Sequence, residues 1–207
     1  FRSNARANMQ AFTSAEGGYL ARVSREERGI LLQAIAEVVR ALDAPLPSGE
    51  LLQALRALEP EEEREQPNSL SLRRLLPPLS ENPRIAAQLR ALTEDSLRSV
   101  KSERLQVLER ELAEPSGPDG QIFVPEEQLW QWLAGINDLR LSISGALGIH
   151  AETPGGVGVA DVQEQFGPQN CDPSEEQRNV FVASVYSALG WWQTSLIERM
   201  EASTQPT

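Results

Sequence analysis

The alternation of apolar and polar residues predicts a chain built mostly from amphipathic helices. Ser24 and Glu27 form a capping box, in which each side chain can bond the backbone N–H of the other residue. The helix that this box opens carries one apolar face, made of Leu31, Ile35, Val38, Val39 and Leu42. Ser48 can begin a second, shorter helix, whose apolar side chains are Leu51, Leu52, Leu55 and Leu58.

Prolines divide the middle of the chain. Pro77 and Pro78 end the segment that runs from Leu70 to Leu76, because proline lacks the N–H that a helix interior needs. Asn82 followed by Pro83 begins the next helix, since Asn is a strong N-cap and proline suits the first helical position. Its apolar residues share a face that continues as one stripe: Ile85, Leu89, Leu92, Leu97, Val100, Leu105, Leu108 and Leu112.

Two further helices follow. Pro125, followed by the acidic Glu126 and Glu127, begins one of them. Gly148 can end this helix, because glycine readily adopts the left-handed conformation found just past a helix C-terminus. Its buried side is predicted to hold Leu129, Leu133, Ile136, Leu139, Ile143 and Leu147. Asp172 and Pro173 begin the last helix, which is predicted to bury Phe181, Val185, Leu189, Trp192 and Leu196. Side chains one or two positions apart point to different sides of a helix. Trp130 and Trp132, and likewise Trp191 and Trp192, therefore cannot all face inward, and at least one indole should be partly exposed.

The first residues predict a small β-hairpin instead. Residues 19–23 alternate between apolar and polar types, and Gly17-Gly18 supplies a turn. Residues 121–124 read as a short strand that pairs with this hairpin. The predicted fold class is therefore α+β and mainly α, an orthogonal helical bundle with a small N-terminal antiparallel sheet. We expect one domain over residues 9–202 with a flexible insertion at 152–171, a cloning scar or disordered end at 1–8, and a tail at 203–207.

Composition narrows the class of protein. The 207 residues carry a formal net charge of -11, which argues against direct binding of nucleic acid. Cys171 is the only cysteine, so no disulfide can form within the chain, which points to a reducing cytoplasm. No apolar run approaches the roughly 20 residues of a membrane span, so we expect no membrane association. Both a monomer and a homodimer stay open.

One segment is basic, although the chain as a whole is acidic. Residues 73–110 hold eight basic and five acidic residues, a net charge of +3. The simpler interpretation is a solvated helix face with i,i+4 pairs such as Glu94 and Arg98. The functional one is a docking face for an acidic partner protein. The candidate partner-binding residues are Arg74, Arg90, Arg98, Lys101, Asn137, Asp138 and Arg140.

Asn137 and Asp138 interrupt an otherwise apolar helix. Polar groups near a packed face need hydrogen-bond partners, so we expect one of the two to bond to the Arg98 or Arg74 region of a neighbouring helix. The predicted structural polar network contains Thr93, Glu94, Asp95 and Asn137. A pocket for a ligand or partner is the alternative interpretation of these groups.

No motif singles out catalysis, a metal or a cofactor. His150 is the only histidine, and a zinc site needs several His or Cys ligands. Neither a nucleophile elbow nor a phosphate loop is present. Cys171 precedes a helix N-terminus, which can lower the pKa of a thiol, so Cys171 is a candidate redox residue. We predict no catalytic residues, no metal and no cofactor; an enzyme with Glu94, Asp95, Asp138 and Arg98 lining a cleft is an alternative.

The chain resembles an actinobacterial domain family of unknown function. The matching elements are Met9-Gln10-Ala11-Phe12, Leu75-Leu76-Pro77-Pro78, Leu92 to Arg98, Asn137 to Leu141, Leu147-Gly148-Ile149, and the helix with Tyr186, Leu189, Trp192, Gln193 and Leu196. Some members of that family are described as oxidative-stress transcriptional regulators (AosR-like), thought to sense oxidation through an N-terminal Cys-x-x-x-Cys pair. This chain has no such pair near Met9, so that sensing mechanism does not carry over.

The resemblance implies a regulator that works with an alternative sigma factor or another transcription component. We therefore predict a non-enzymatic regulatory or adaptor protein that acts through protein–protein interaction and is linked to a stress response. The rival hypotheses are an uncharacterised enzyme with the carboxylate and arginine cleft named above, and a regulator that binds DNA directly.

Overall fold

The computed structural model describes residues 9–42, 63–148 and 173–204. Its strands are β1 (Thr13–Ala15), β2 (Gly18–Ala21) and β3 (Ile122–Pro125). Its α-helices are α1 (Arg25–Leu42), α2 (Leu70–Leu75), α3 (Pro83–Ala113), α4 (Leu129–Ala146) and α5 (Pro173–Thr204). Single 3-10 turns at Pro118–Gly120 and Glu126–Gln128 flank β3. The predicted class, mainly α with a small antiparallel sheet, is confirmed.

The sheet joins the start of the chain to its middle. β2 pairs antiparallel with both β1 and β3, so the strand order is β1-β2-β3. Gly17 has a φ of +74°, which the turn between β1 and β2 requires and which glycine adopts without strain. The predicted hairpin and its pairing with residues 121–124 are thereby confirmed.

Helix ends follow the predicted local chemistry. Ser24 N–H donates to Glu27 Oε2 (2.9 Å), and Glu27 N–H donates to Ser24 Oγ (3.2 Å), which is the capping box. Asn82 Oδ1 accepts from the N–H groups of Arg84 and Ile85 at the start of α3. At the end of α4, Gly148 has a φ of +64°, as expected of a residue just past a helix.

The main apolar core draws on every strand and helix named above except β1, and a small second cluster contains Leu147 and Ala183. Phe12, just before β1, stacks on Trp192 of α5 with ring centroids 4.8 Å apart, and Trp132 of α4 meets the same indole edge-on. Trp130 and Trp191 are 70% and 49% exposed, so the expected divergence of the tryptophan pairs is confirmed.

Two predicted buried faces are partly wrong. In α3, Ile85, Leu92 and Val100 are exposed, whereas Arg90 and Glu94 are buried in their place. In α5, Phe181 is 47% exposed. The remaining predicted core positions of α4 are buried or packed against the core. The predicted helix with Leu51 to Leu58, the insertion at 152–171, the end at 1–8 and residues 205–207 lie outside the described residues.

Candidate functional site

Glu94 is the centre of a buried ionic cluster in the N-terminal half of α3. It is only 5% exposed. Its carboxylate accepts a hydrogen bond from Arg98 Nε (2.9 Å) and forms ion pairs with Arg98 Nη2 (2.8 Å) and Arg90 Nε (3.6 Å). Arg64 Nη1 lies 3.8 Å from the same carboxylate. We call these four residues the Glu94 cluster. A buried carboxylate needs such counter-charges, because an unpaired one would be strongly disfavoured.

The Glu94 cluster also holds neighbouring elements to α3. Arg98 Nη1 donates to the carbonyl oxygens of Ala41 (3.2 Å) and Leu42 (2.9 Å), which are among the last carbonyls of α1. Arg90 Nη1 donates to the carbonyl of Arg64 (3.2 Å). A basic group at a helix C-terminus is favourable because carbonyls there have no helical donor. The cluster therefore joins α3, the end of α1 and the chain at Arg64.

The predicted polar network is divided in the structure. Asp95 is bound by Arg64, with Nη1–Oδ1 and Nη2–Oδ2 distances of 2.7 and 3.1 Å. The Thr93 hydroxyl donates to the carbonyl of Leu89 within its own helix (2.9 Å). Asn137 is exposed on α4. Glu94, Asp95 and Thr93 are therefore neighbours on α3, and the structure does not bring Asn137 to them.

Asp138 has a different partner from the one expected. It is 2% exposed and lies between α4 and α3, where Lys101 Nζ donates to Oδ1 and Arg104 Nη1 lies 3.9 Å from Oδ2. The sequence-based expectation placed Arg98 or Arg74 there, but Arg98 is taken up by Glu94 and the end of α1. A cross-helix bond does form, and its partner is Lys101.

Arg140 lies across the interface of α4 and α5. Its Nη1 donates to Gln193 Oε1 (2.8 Å), and its Cζ lies 5.0 Å from the ring centroid of Tyr186. A Cβ at Gly190 would meet the guanidinium at 3.3–3.4 Å, so the missing side chain makes room for it. Arg140, Tyr186 and Gln193 belong to two of the motifs that the sequence analysis picked out.

Five of the seven candidate partner-binding residues make the internal contacts described above: Arg90, Arg98, Lys101, Asp138 and Arg140. Arg74 is half-buried on α2, Asn137 is exposed, and Arg140 is half-buried on α4. The candidate set does not form one outward basic face on α3. Arg84 and Arg110 are exposed on α3 but stand near its opposite ends.

An outward apolar surface occupies α3 and the turn before it. Leu79, Ile85, Leu92 and Val100 are 55%, 47%, 76% and 41% exposed, and we call these four residues the α3 outer surface. Sequence reasoning assigned the three α3 members to the buried stripe. The inner face is formed instead by Ala86, Arg90 and Glu94, which recur every four residues, and helical periodicity alone does not favour this face over the apolar one.

A shallow depression lies beside the Glu94 cluster. It is lined by Leu76, Pro77, Pro78, Leu79, Ala86, Arg90, Thr93, Glu94 and Leu97. The cavity volume is about 10 Å³, roughly the room that one water molecule needs and far below the roughly 300–1,000 Å³ of a small-molecule pocket. Of the four residues of the postulated catalytic cleft, only Glu94 lines this depression; Asp95, Arg98 and Asp138 do not.

The remaining hypotheses concern Cys171, His150, metal binding and membrane crossing. Cys171 and His150 lie outside the described residues. Within 9–42, 63–148 and 173–204, no three His, Cys, Asp or Glu side chains are grouped so that they could hold a metal ion. Over those same ranges, every helix falls short of the length or apolarity that a membrane crossing requires.

Comparison with known proteins identifies a family and no characterised relative. No curated protein and no solved structure is significantly similar to the chain. One family model, described as Domain of unknown function (DUF2017), matches residues 9–200. That match takes in both strands of the hairpin, the Glu94 cluster, the Arg140 contacts and nearly all of α5, and the chain therefore belongs to the DUF2017 family.

Proposed function

We propose that this protein is a non-enzymatic regulatory or adaptor protein that acts by binding another protein through the α3 outer surface. The observation that carries the proposal is the reversed amphipathic pattern of the N-terminal half of α3. Large apolar side chains face solvent there, while an arginine and a glutamate face the interior. Large apolar side chains exposed together on one helix are typical of a surface that binds another protein.

The spacing of the α3 outer surface fits a protein partner. Ile85 and Leu92 are seven residues apart, two helical turns or ~10.5 Å, on the same side of the helix. Apolar residues repeated in this way are the anchors by which a helix docks into a groove of a partner. The fixed ionic cluster beneath them holds the helix in one orientation, which lowers the entropy cost of binding.

The partner class follows from resemblance. Family members described as stress-linked transcriptional regulators point to a sigma factor or another transcription component as the bound protein. Stress sensing by a cysteine pair is not part of the proposal.

The rival functions receive less support from the geometry. Catalysis in a carboxylate and arginine cleft needs groups that can exchange protons or bind substrate, but Glu94 and Asp138 sit in separate ion pairs. Direct DNA binding needs a contiguous basic surface. Arg90, Arg98 and Lys101 instead point to internal carboxylates, which removes them from such a surface.

The test is a charge placed on the α3 outer surface. Leu92→Glu should leave the fold intact, because the side chain is 76% exposed, and should abolish binding of the partner. A photo-reactive amino acid at Leu92 should crosslink one dominant protein in cells of the source organism, and mass spectrometry would identify it.

Gln33→Glu, at an exposed position of α1, is the matched control for the added charge. It should leave binding and crosslinking unchanged. Equal binding by wild type and the Leu92→Glu variant, with the purified crosslinked protein as the ligand, would rule out the α3 outer surface as the docking site.

A further inference from the structure

Trp130 is the most exposed aromatic side chain among residues 9–42, 63–148 and 173–204. It lies in the first turn of α4, and 70% of its surface is exposed. Leu129 and Trp132 on either side of it are buried in the main core, so the helix is fixed in a rotation that points this indole outward. A tryptophan held in this way is the residue type most often found as an anchor in protein interfaces.

Trp130 begins a face of α4 that neither neighbouring helix covers. Asp138 and Arg140 point to opposite sides of α4, Asp138 towards Lys101 of α3 and Arg140 towards Gln193 of α5. Between these two contacts, on the side away from the core, one row of side chains recurs at helical spacing. We call this row the α4 outer stripe: Trp130, Ala134, Asn137 and Leu141. Trp130 and Asn137 are exposed, and Ala134 and Leu141 are half-buried.

Acidic side chains surround the Trp130 end of the stripe. Glu126 and Glu127 come four and three residues before Trp130, about one helical turn, and both are exposed. The N–H of Glu126 donates to the carbonyl of Gly17 (3.1 Å), which brings the exposed Glu16 of the hairpin turn to the same place. Within the described ranges, no basic side chain forms an ion pair with any of these three carboxylates.

The sequence around the stripe lacks cations altogether. Residues 111–139 contain six acidic residues and no lysine or arginine, and residues 9–21 contain one acidic residue and no basic one. Glu111 and Asp138 are used inside the molecule, by backbone N–H groups and by Lys101. Glu16, Glu126 and Glu127 face solvent instead, so the charge beside Trp130 is complementary to a positively charged partner.

We propose that the α4 outer stripe docks an arginine-bearing segment of a partner protein, with Trp130 as its anchor. Arginine is the cation that stacks most often on an indole face, and its N–H groups match carboxylates placed beside that face. Asn137, two turns or ~10.5 Å further along α4, can bond to the backbone of the docked segment. This surface is separate from the α3 outer surface and goes beyond the proposed function.

The test follows the anchor directly. The intact ¹⁵N-labelled protein is titrated at low ionic strength with a short peptide that has two arginines and blocked ends, and the Trp130 indole Nε1–Hε1 resonance is recorded. The same peptide with citrulline in place of arginine keeps the shape and removes the charge. We expect a saturable shift of the Trp130 resonance with the arginine peptide and none with the citrulline peptide. No saturable shift, or equal shifts with both peptides, would overturn the proposal.

A tryptophan variant tests the stacking. Trp130→Leu should keep the fold, because the side chain is exposed, and should bind the arginine peptide at least about threefold more weakly through loss of the cation–π contact. Trp191→Leu is the matched control, since that indole is 49% exposed on α5, and it should bind as the wild type does. Equal peptide affinity in the Trp130→Leu variant and the wild type would contradict the assignment.

Charge variants test the acidic border. The double variant Glu126→Gln/Glu127→Gln should bind the arginine peptide about threefold or more weakly than the wild type. Glu37→Gln/Glu103→Gln makes the same change of net charge at exposed positions of α1 and α3, and it should change the affinity much less. Equal losses in the two double variants would mean that only the net charge attracts the peptide, which rejects the site.

Two further measurements separate this surface from its alternatives. A Trp130 resonance that shifts on dilution of the protein without peptide would assign the stripe to a second copy of the chain and contradict an arginine-bearing partner. Leu92→Glu, on the α3 outer surface, should bind the arginine peptide as the wild type does. The docking proposed for α3 can therefore fail while the α4 outer stripe still binds, and the reverse.

Discussion

At the scale of single residues, Glu94 is the group on which the orientation of α3 depends. Three arginines from two parts of the chain lie within 4 Å of its carboxylate, and one of them also binds the end of α1. Buried ion pairs add little net stability compared with an apolar core, but removing one partner leaves the others buried and unmatched. Glu94 therefore sets which face of α3 points inward.

Glu94→Gln should destabilise the protein by about 3 kcal/mol, because it leaves the buried Arg90 and the half-buried Arg98 without their counter-charge. The measurement is the free energy of unfolding by urea. Glu103→Gln, at an exposed site of the same helix, should change that free energy by no more than about 0.5 kcal/mol. A Glu94→Gln variant as stable as the Glu103→Gln variant would show that the cluster does not orient α3.

At the scale of elements, α2 and α4 approach so closely that only glycine fits between them. A Cβ at Gly145 would lie 2.6 Å from both the carbonyl oxygen of Leu70 and the Cα of Ser71. These are backbone atoms, which a rotamer change cannot move. The short helix α2 is held in the fold largely by this contact and by the burial of Leu75 and Leu76.

Gly145→Ala should therefore cost about 2 kcal/mol or more, since an added methyl group overpacks the site and α2 must move. Gly29→Ala is the matched control, because a Cβ there meets nothing within 4 Å and the residue is in helix α1. That control should stabilise the protein by up to about 1 kcal/mol through helix propensity. Thermal unfolding of the two variants checks both signs, and an unchanged Gly145→Ala variant would mean that α2 is not tightly docked.

The elements themselves could be predicted from the sequence because their ends depend on local chemistry. Ser24 with Glu27, Asn82 with Pro83, and Gly148 each act through contacts a few residues away, and all three form as expected. The strand pairing was also predictable, since residues 19–23 and 121–124 are β-rich segments that need a partner.

Local chemistry could not predict which face of α3 is buried or which residues pair with its charged side chains. Its apolar stripe, through Ile85 and Leu92, competes with an inner face of Ala86, Arg90 and Glu94, and periodicity does not decide between the two. The decision depends on Arg64 and on the end of α1, which are distant in sequence. Asp138 illustrates the same limit, because its interhelical pair was expected but Lys101 could not be singled out.

At the scale of the whole molecule, the two ends of the described chain share one core. Phe12 is fully buried, stacks on Trp192 and donates its backbone N–H to Ser195 Oγ at 3.3 Å. The contact joins residues 180 positions apart in the sequence. Folding of the N-terminal hairpin is thereby coupled to the docking of α5.

Phe12→Ala should cost about 3–5 kcal/mol, the range for removing a buried aromatic ring, although Phe12 is near the start of the chain. Thr13→Ala, at the exposed neighbouring position, is the control and should change stability little. Urea unfolding followed by tryptophan fluorescence gives both values. A small loss for Phe12→Ala would mean that the hairpin is not part of the main core.

The wild-type protein should unfold in one cooperative transition, because one apolar cluster includes residues from nearly every element. Tryptophan fluorescence follows the exposure of the buried Trp132 and Trp192 on unfolding, while far-ultraviolet circular dichroism reports on all helices. The two transitions should coincide in urea. Separate midpoints would divide the chain into units that fold independently.

The contacts of Arg98 and Arg64 have a consequence for protein engineering. Arg98 binds the chain at Leu42, and Arg64 binds Asp95, one turn away on the same helix. The polypeptide between these two points thus leaves and returns at almost the same place. Lengthening a stretch of chain between two fixed ends costs little free energy, about 0.6 kcal/mol for each doubling of its length. A fluorescent tag or affinity sequence inserted between Leu42 and Arg64 should leave the remainder of the molecule folded.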